Sequence, residues 1–139
     1  MRRGMIPGIA AATVWAAAEP LVGRVLGVPW YSDVRLVGRT LSKGRLWRPL
    51  GIAVHLGNGA VFGAVFAGLG GRGWKQGVVA AEIESALLWP GMAAIDRIHA
   101  DRRSGEWPPL FLNGRVFAYE VVVHAIFGAV LGALVSEGD

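Results

Sequence analysis

The chain has 139 residues, 53% of them hydrophobic and 21 of them glycine, while only 17% are charged against a globular norm of roughly 25%. A mean hydropathy of +0.45 excludes a disordered tail and is too high for an ordinary soluble domain, because so short a chain cannot hide that much apolar surface from water. Cys is absent, which removes disulfides, thiolate metal sites and a Cys nucleophile, and the net charge is +4.

In chain order, the first apolar stretch covers residues 5–27. It begins like a signal peptide, with Arg2-Arg3, an apolar run and Ala16-Ala17-Ala18 ahead of Glu19. A retained helix is the favoured reading, since apolar character resumes after Glu19-Pro20 and the total reaches spanning length. Next, Val34, Val37, Leu41 and Trp47 recur on one side of residues 33–47, with Arg35, Arg39, Lys43 and Arg45 largely elsewhere. That pattern suits a short interfacial helix offering its basic face to anionic lipid headgroups. A plain loop carrying topogenic charge explains it equally well.

The second stretch, 50–69, and the third, 74–95, are joined by a glycine-rich turn. Residues 101–109 then form a polar, Pro-interrupted loop that should turn back at the interface, with Trp107 in the headgroup region. The fourth stretch covers 115–135. Four spans of this length define an all-α, four-helix transmembrane bundle occupying the whole chain, 1–139. Ten of the 14 basic residues fall in or beside the two longer loops. The positive-inside rule therefore places those loops in the cytoplasm and both termini outside, Arg2-Arg3 arguing against and the acidic Glu137 and Asp139 weighing little. The same placement removes the case for nucleic-acid binding.

The second and fourth stretches match at a shift of 69. Gly59-Ala60-Val61-Phe62-Gly63 falls on Gly128-Ala129-Val130-Leu131-Gly132, and His55 falls on His124. A shift of 70 carries Pro20 onto Pro90, so the chain reads as two tandem hairpins with a pseudo-two-fold axis along the membrane normal. Each copy holds a Gly-x-x-x-Gly, Gly59 to Gly63 and Gly128 to Gly132, suited to close helix packing within the monomer.

With those segments in view, the chain resembles the YagU-like integral membrane proteins, a bacterial family of unknown function. The resemblance lies in Trp15-x-x-x-Glu19-Pro20, His55-Leu56-Gly57-x-Gly59, Trp74-x-Gln76-Gly77 and His124-x-x-x-Gly128 with the small residues that follow. It implies a small polytopic protein of the bacterial inner membrane and supplies neither catalytic residues nor a cofactor.

Four of the six glutamates, Glu19, Glu82, Glu84 and Glu120, fall inside the apolar stretches together with His55 and His124. Ionised groups at such depth are costly, so these side chains should face the bundle interior. Counted from the helix ends, Glu19, His55, Glu84, Glu120 and His124 form one polar layer, and Glu120 can bond His124 four residues on. Four readings follow. The layer binds or conducts a proton or small cation, with Pro20 and Pro90 breaking their helices into hinges. Alternatively the protein is a scaffold that docks a membrane partner, a second copy of itself or anionic lipid. In a third reading His55 and His124 are axial ligands of a haem. In the fourth the Glu–His bonds only hold the bundle together. No Glu-x-x-His, nucleophile elbow or phosphate loop is present, and Glu82 and Glu84 face different sides of one helix, so neither a metal site nor an enzyme is expected.

Overall fold

A computed structural model describes residues 2–137, leaving Met1, Gly138 and Asp139, and the side chains of Arg2, Ser136 and Glu137, outside the described residues. Among the described residues the chain is helical with no strand: α1 Arg2–Val25, α2 Asp33–Leu41, α3 Trp47–Gly68, α4 Gly73–Leu88, α5 Met92–Ile98, α6 Ala100–Arg103 and α7 Gly114–Glu137. Four segments are long and apolar enough to cross a membrane: Arg3–Val25, Trp47–Gly68, Gly73–Ile98 and Gly114–Val135. Their outward faces carry large apolar side chains such as Leu21, Val61 and Leu87, the distribution required when the surrounding solvent is hydrocarbon.

α1 packs on α3, α4 packs on α7, and α1 lies against α7. Glycine sets both hairpin contacts. A Cβ on Gly4 or Gly8 would collide with the carbonyls of Gly63 and Gly59, and one on Gly77 or Gly132 with those of Gly128 and Gly73. Backbone therefore meets backbone, which maximises dispersion contact where no hydrophobic effect drives helices together. The Gly4–Gly63 and Gly8–Gly59 contacts recur as Gly73–Gly132 and Gly77–Gly128, every residue 69 further on.

The interfaces between the two hairpins are not equivalent. α1 covers α7, but α3 and α4, joined by a tight turn, do not pack along their length. The chain reverses at both ends of the first hairpin with the same device. After α1, Val28 N–H reaches the Gly23 carbonyl at 2.7 Å with Gly27 at φ 73°. After α3, Gly71 N–H reaches the Phe66 carbonyl at 2.9 Å with Gly70 at φ 79°. Only glycine takes that conformation at no steric cost, and it satisfies carbonyls the helix end would otherwise strand.

Two expectations need correction. Pro20 sits inside an unbroken α1, exposed on the outer side of the helix, where the bundle leaves room for its ring. Pro90 does interrupt its helix: with Gly91 it forms a 3₁₀ turn, Trp89–Gly91, between α4 and α5. The helix expected over 33–47 ends at Leu41, and Trp47 opens α3 instead. α2 lies flush on the start of α3, because Gly38 meets the Trp47 carbonyl and Gly51 meets that of Val34.

Candidate functional site

Three carboxyl groups converge where α1, α2 and α7 meet near the loop end of the bundle. Glu19, Asp33 and Glu120 are each at most 7% exposed. Glu19 and Glu120 each lie six residues inside a helix end, about 9 Å deep at ~1.5 Å per residue. Glu19 binds the start of α2: its Oε2 accepts from Ser32 Oγ at 2.5 Å and its Oε1 from Asp33 N–H at 3.0 Å. Ser32 in turn caps α2 by accepting from Arg35 N–H at 3.3 Å. A carboxylate at this helix N-terminus also meets the positive end of the helix dipole.

Asp33 Oδ2 accepts from Trp15 Nε1 at 3.1 Å. The Tyr31 hydroxyl donates to Glu120 Oε1 at 2.5 Å and lies 3.2 Å from Asp33 Oδ1. The Tyr31 hydroxyl has a single proton for these two buried acceptors, so it satisfies Glu120 or Asp33 but not both at once. Burial first, then the adjacent Glu120 carboxyl, push Asp33 well above its ordinary value of 3.8. Burial likewise raises the Tyr31 hydroxyl and keeps it a donor.

The sign of the Asp33 shift fixes a pH dependence. A carboxyl raised in the folded state contributes stability that is complete below its unfolded pKa and is lost as pH rises through the folded value. Wild-type protein in detergent should therefore melt lower in alkaline than in mildly acidic buffer. Asp33→Asn, which cannot ionise, should flatten that decline; an unchanged slope would show that Asp33 does not titrate as its surroundings require.

Beside this cluster the gap between α3 and α4 forms a cleft of about 230 Å³. His55, Glu84, Glu120 and His124 line it, together with Asp33, the first residue of the segment expected as an interfacial helix or a plain loop. Glu19 does not; it is turned toward the α2 N-terminus, so the expected five-residue layer becomes four of those residues plus Asp33. Trp15 forms the floor, its ring 4.8 Å from His55 and 4.4 Å from His124. His55 Nε2 pairs with the Ala12 carbonyl at 3.1 Å. The expected Glu120–His124 side-chain bond is replaced: His124 Nδ1 donates to the Glu120 backbone carbonyl at 2.8 Å, while the carboxylate, occupied by Tyr31, stands 3.5 Å away. Asn58 on α3 and Glu84 on α4 both line the opening. Glu82 faces elsewhere, with one carboxyl oxygen buried and unpaired.

The two longer loops fold into a cap on the same end. Asp101, fully buried, accepts from Arg35 Nε at 2.8 Å and from Arg39 Nε and Nη2 at 3.0 and 2.9 Å. Burial alone would raise the Asp101 carboxyl, but hydrogen bonds and charge from Arg39 and Arg35 hold it below its ordinary value. Arg35 also reaches Glu106 at 2.7 Å and lies 5.2 Å over the Trp107 ring. Thus Arg35 and Arg39, expected to face lipid headgroups, are spent on a buried acid; only Lys43 and Arg45 of that set are exposed. Trp107, expected at the interface, is 1% exposed, stacked on His99 with centroids 4.6 Å apart. Asp96 ties the cap down by accepting from Leu110 and Phe111 N–H and from Arg102 Nε. Sequence reasoning missed this cap because each acid seemed to be a lone charge in a polar loop.

The bis-histidine haem reading does not fit this geometry. Trp15 fills the space between the imidazoles, and His55 Nε2 is already engaged by a carbonyl. Gly59, Gly63, Gly128 and Gly132, which follow the two histidines on their helices, face opposing helices and leave no room for a macrocycle. Among the described residues no three His, Asp or Glu side chains converge as a metal-holding group. No protein-family model, curated protein or solved structure matches the chain.

Proposed function

We propose that this multi-pass membrane protein binds and exchanges a proton at the Asp33–Glu120–Tyr31 cluster, in contact with the cleft between α3 and α4. The observation that carries this reading is two buried carboxyls, Asp33 and Glu120, that share one tyrosine hydroxyl and have no Lys or Arg among the described residues paired to them, the nearby Arg35 and Arg39 being held by Asp101. Uncompensated carboxyls at this depth are stable only when protonated or shared, so uptake and release of a proton is the chemistry their surroundings favour. Binding is favoured over conduction across the bilayer. Beyond His55 and His124 the interior is filled by Phe62, Phe66, Phe127 and Leu131, and the glycine contacts close the far half of each hairpin.

The likeness to YagU-like proteins supports a bacterial inner-membrane location with the cap in the cytoplasm. The sequence carries no nucleophile elbow, Glu-x-x-His or phosphate loop, in keeping with a non-enzymatic role. A second reading, docking to anionic lipid, keeps support from the exposed Lys43 and Arg45 beside the cap. A second copy or another membrane protein as partner is the further form of that scaffold role.

Infrared difference spectroscopy of the protein in liposomes tests the first reading. A protonated-carboxyl C=O band should diminish as pH is raised, and Asp33→Asn or Glu120→Gln should remove it. A spectrum without that band in wild type would sink the proposal.

A further inference from the structure

We propose that the cleft between α3 and α4 is a binding site for a lipophilic monovalent cation, an ammonium group on an apolar body, entering sideways from the bilayer. This rests on the proton-binding reading and names the ligand that would exchange with the proton.

The cleft opens toward lipid because α3 and α4 diverge, and the side chains at its rim, Val54 and Leu88, are exposed apolar groups. Its charge is one-sided. Glu84, Asp33 and Glu120 line it, whereas no Lys or Arg does. Electrostatic complementarity therefore selects a cation and repels an anion. Trp15 and Trp89 present aromatic surface to the same space, the preferred neighbour of an ammonium group that has left water. Leu36 and Met92 supply an apolar wall for the body of the ligand. A lipid tail would fit worse: it would leave Asn58 and Glu84 beside groups that cannot hydrogen-bond. At about 230 Å³ the cleft is smaller than the roughly 300–1,000 Å³ of drug-sized pockets, so it holds the head of the molecule while any tail stays in hydrocarbon.

Proton and cation compete for the same carboxyls. A protonated Glu84 or Asp33–Glu120 pair loses its proton to water as the ammonium arrives, and the resulting carboxylate neutralises the bound charge. The titratable groups facing this event are Glu84 from α4, His55 from α3, Asp33 from α2, and Glu120 and His124 from α7. Affinity should accordingly rise with pH.

The test uses radiolabelled benzyltrimethylammonium on the full chain in detergent, with neopentylbenzene, its neutral carbon isostere, as competitor. Saturable binding should tighten as pH rises, Glu84→Gln should weaken it at least tenfold, and excess neopentylbenzene should not displace the label. Displacement by the isostere at equal concentration would show a merely apolar pocket and overturn the proposal. So would an unchanged affinity in Glu84→Gln that elutes and melts like wild type, or no saturable binding to wild type. If Glu84→Gln does not fold, the pH and isostere results on wild type decide. Loss of cation binding while the infrared carboxyl band still titrates refutes this inference alone. Loss of both refutes the proton reading as well.

Discussion

Gly77→Val is expected to take apart the α4–α7 hairpin, with a loss of at least about 3 kcal/mol, the upper end of the usual cost of overpacking. The reason is the identity of the obstructing atom. A Cβ on Gly77 would collide with the Gly128 carbonyl and approach Gly132 N at 3.0 Å, and neither is the end of a flexible side chain. Two helical backbones would have to separate, losing dispersion contact along the seam and undoing the reciprocal approach of Gly128 to Gly77. Denaturant titration of helicity in mixed micelles measures the loss. Gly57→Val is the control, because Gly57 lies in α3 with no neighbour within 4 Å of a Cβ. Equal effects at the two positions would mean that the loss is one of helix propensity and not of close approach.

The second large effect is expected for Asp101→Asn. Removing one partner of a buried ion pair typically costs 3–5 kcal/mol, because the other charge is stranded. Arg35 and Arg39 are 30% and 23% exposed and can recover some hydration, so about 2–3 kcal/mol is expected. The damage should be local. This carboxylate holds both Arg35 and Arg39 of α2 to the second loop, a further tie running from Arg35 to Glu106 and Trp107, so amide exchange protection over 33–41 should fall while that of α4 stays. Acid should act as the mutation does. The Asp101 carboxyl is held below 3.8, so its contribution is complete above that value and is lost as pH falls through the lower folded value. Identical α2 protection in wild type and Asp101→Asn would show that the arginines do not anchor the helix.

The architecture was legible because a bilayer imposes a length. Stretches at 50–69 and 115–135 came out as Trp47–Gly68 and Gly114–Val135, within a few residues. Half of each glycine seam was legible too: Gly59, Gly63, Gly128 and Gly132 stood out, while their partners Gly4, Gly8, Gly73 and Gly77 did not. Those partners obey the same shift of 69, but the proline pair at 70 drew attention away from them. The site was read less well, for a physical reason. Depth along a helix can be counted, which placed His55, Glu84, Glu120 and His124 together, but the facing of Glu19 depends on where the chain returns after α1. Asp33 and Tyr31 lie in that return. Only the Ser32-Asp33 pair, a helix-start signature ahead of an apolar and basic pattern, hinted that the segment folds back onto the bundle. Arg35 and Arg39 were assigned to lipid because sequence pattern distinguishes a polar face from an apolar one, not water from a buried carboxylate.

The unequal contacts between hairpins have a mechanical consequence. Each hairpin is riveted internally by backbone touching backbone, so neither can bend along its seam without losing it. The two leaves meet chiefly along α1 and α7, with nothing comparable holding α3 to α4. The molecule is thus built like a book whose spine is α1–α7 and whose fore-edge is the cleft. A small rotation about that spine widens or narrows the fore-edge while the carboxyls beside the spine keep their neighbours, and α2, clasped to Asp101, sits across the top of the opening where it limits the swing.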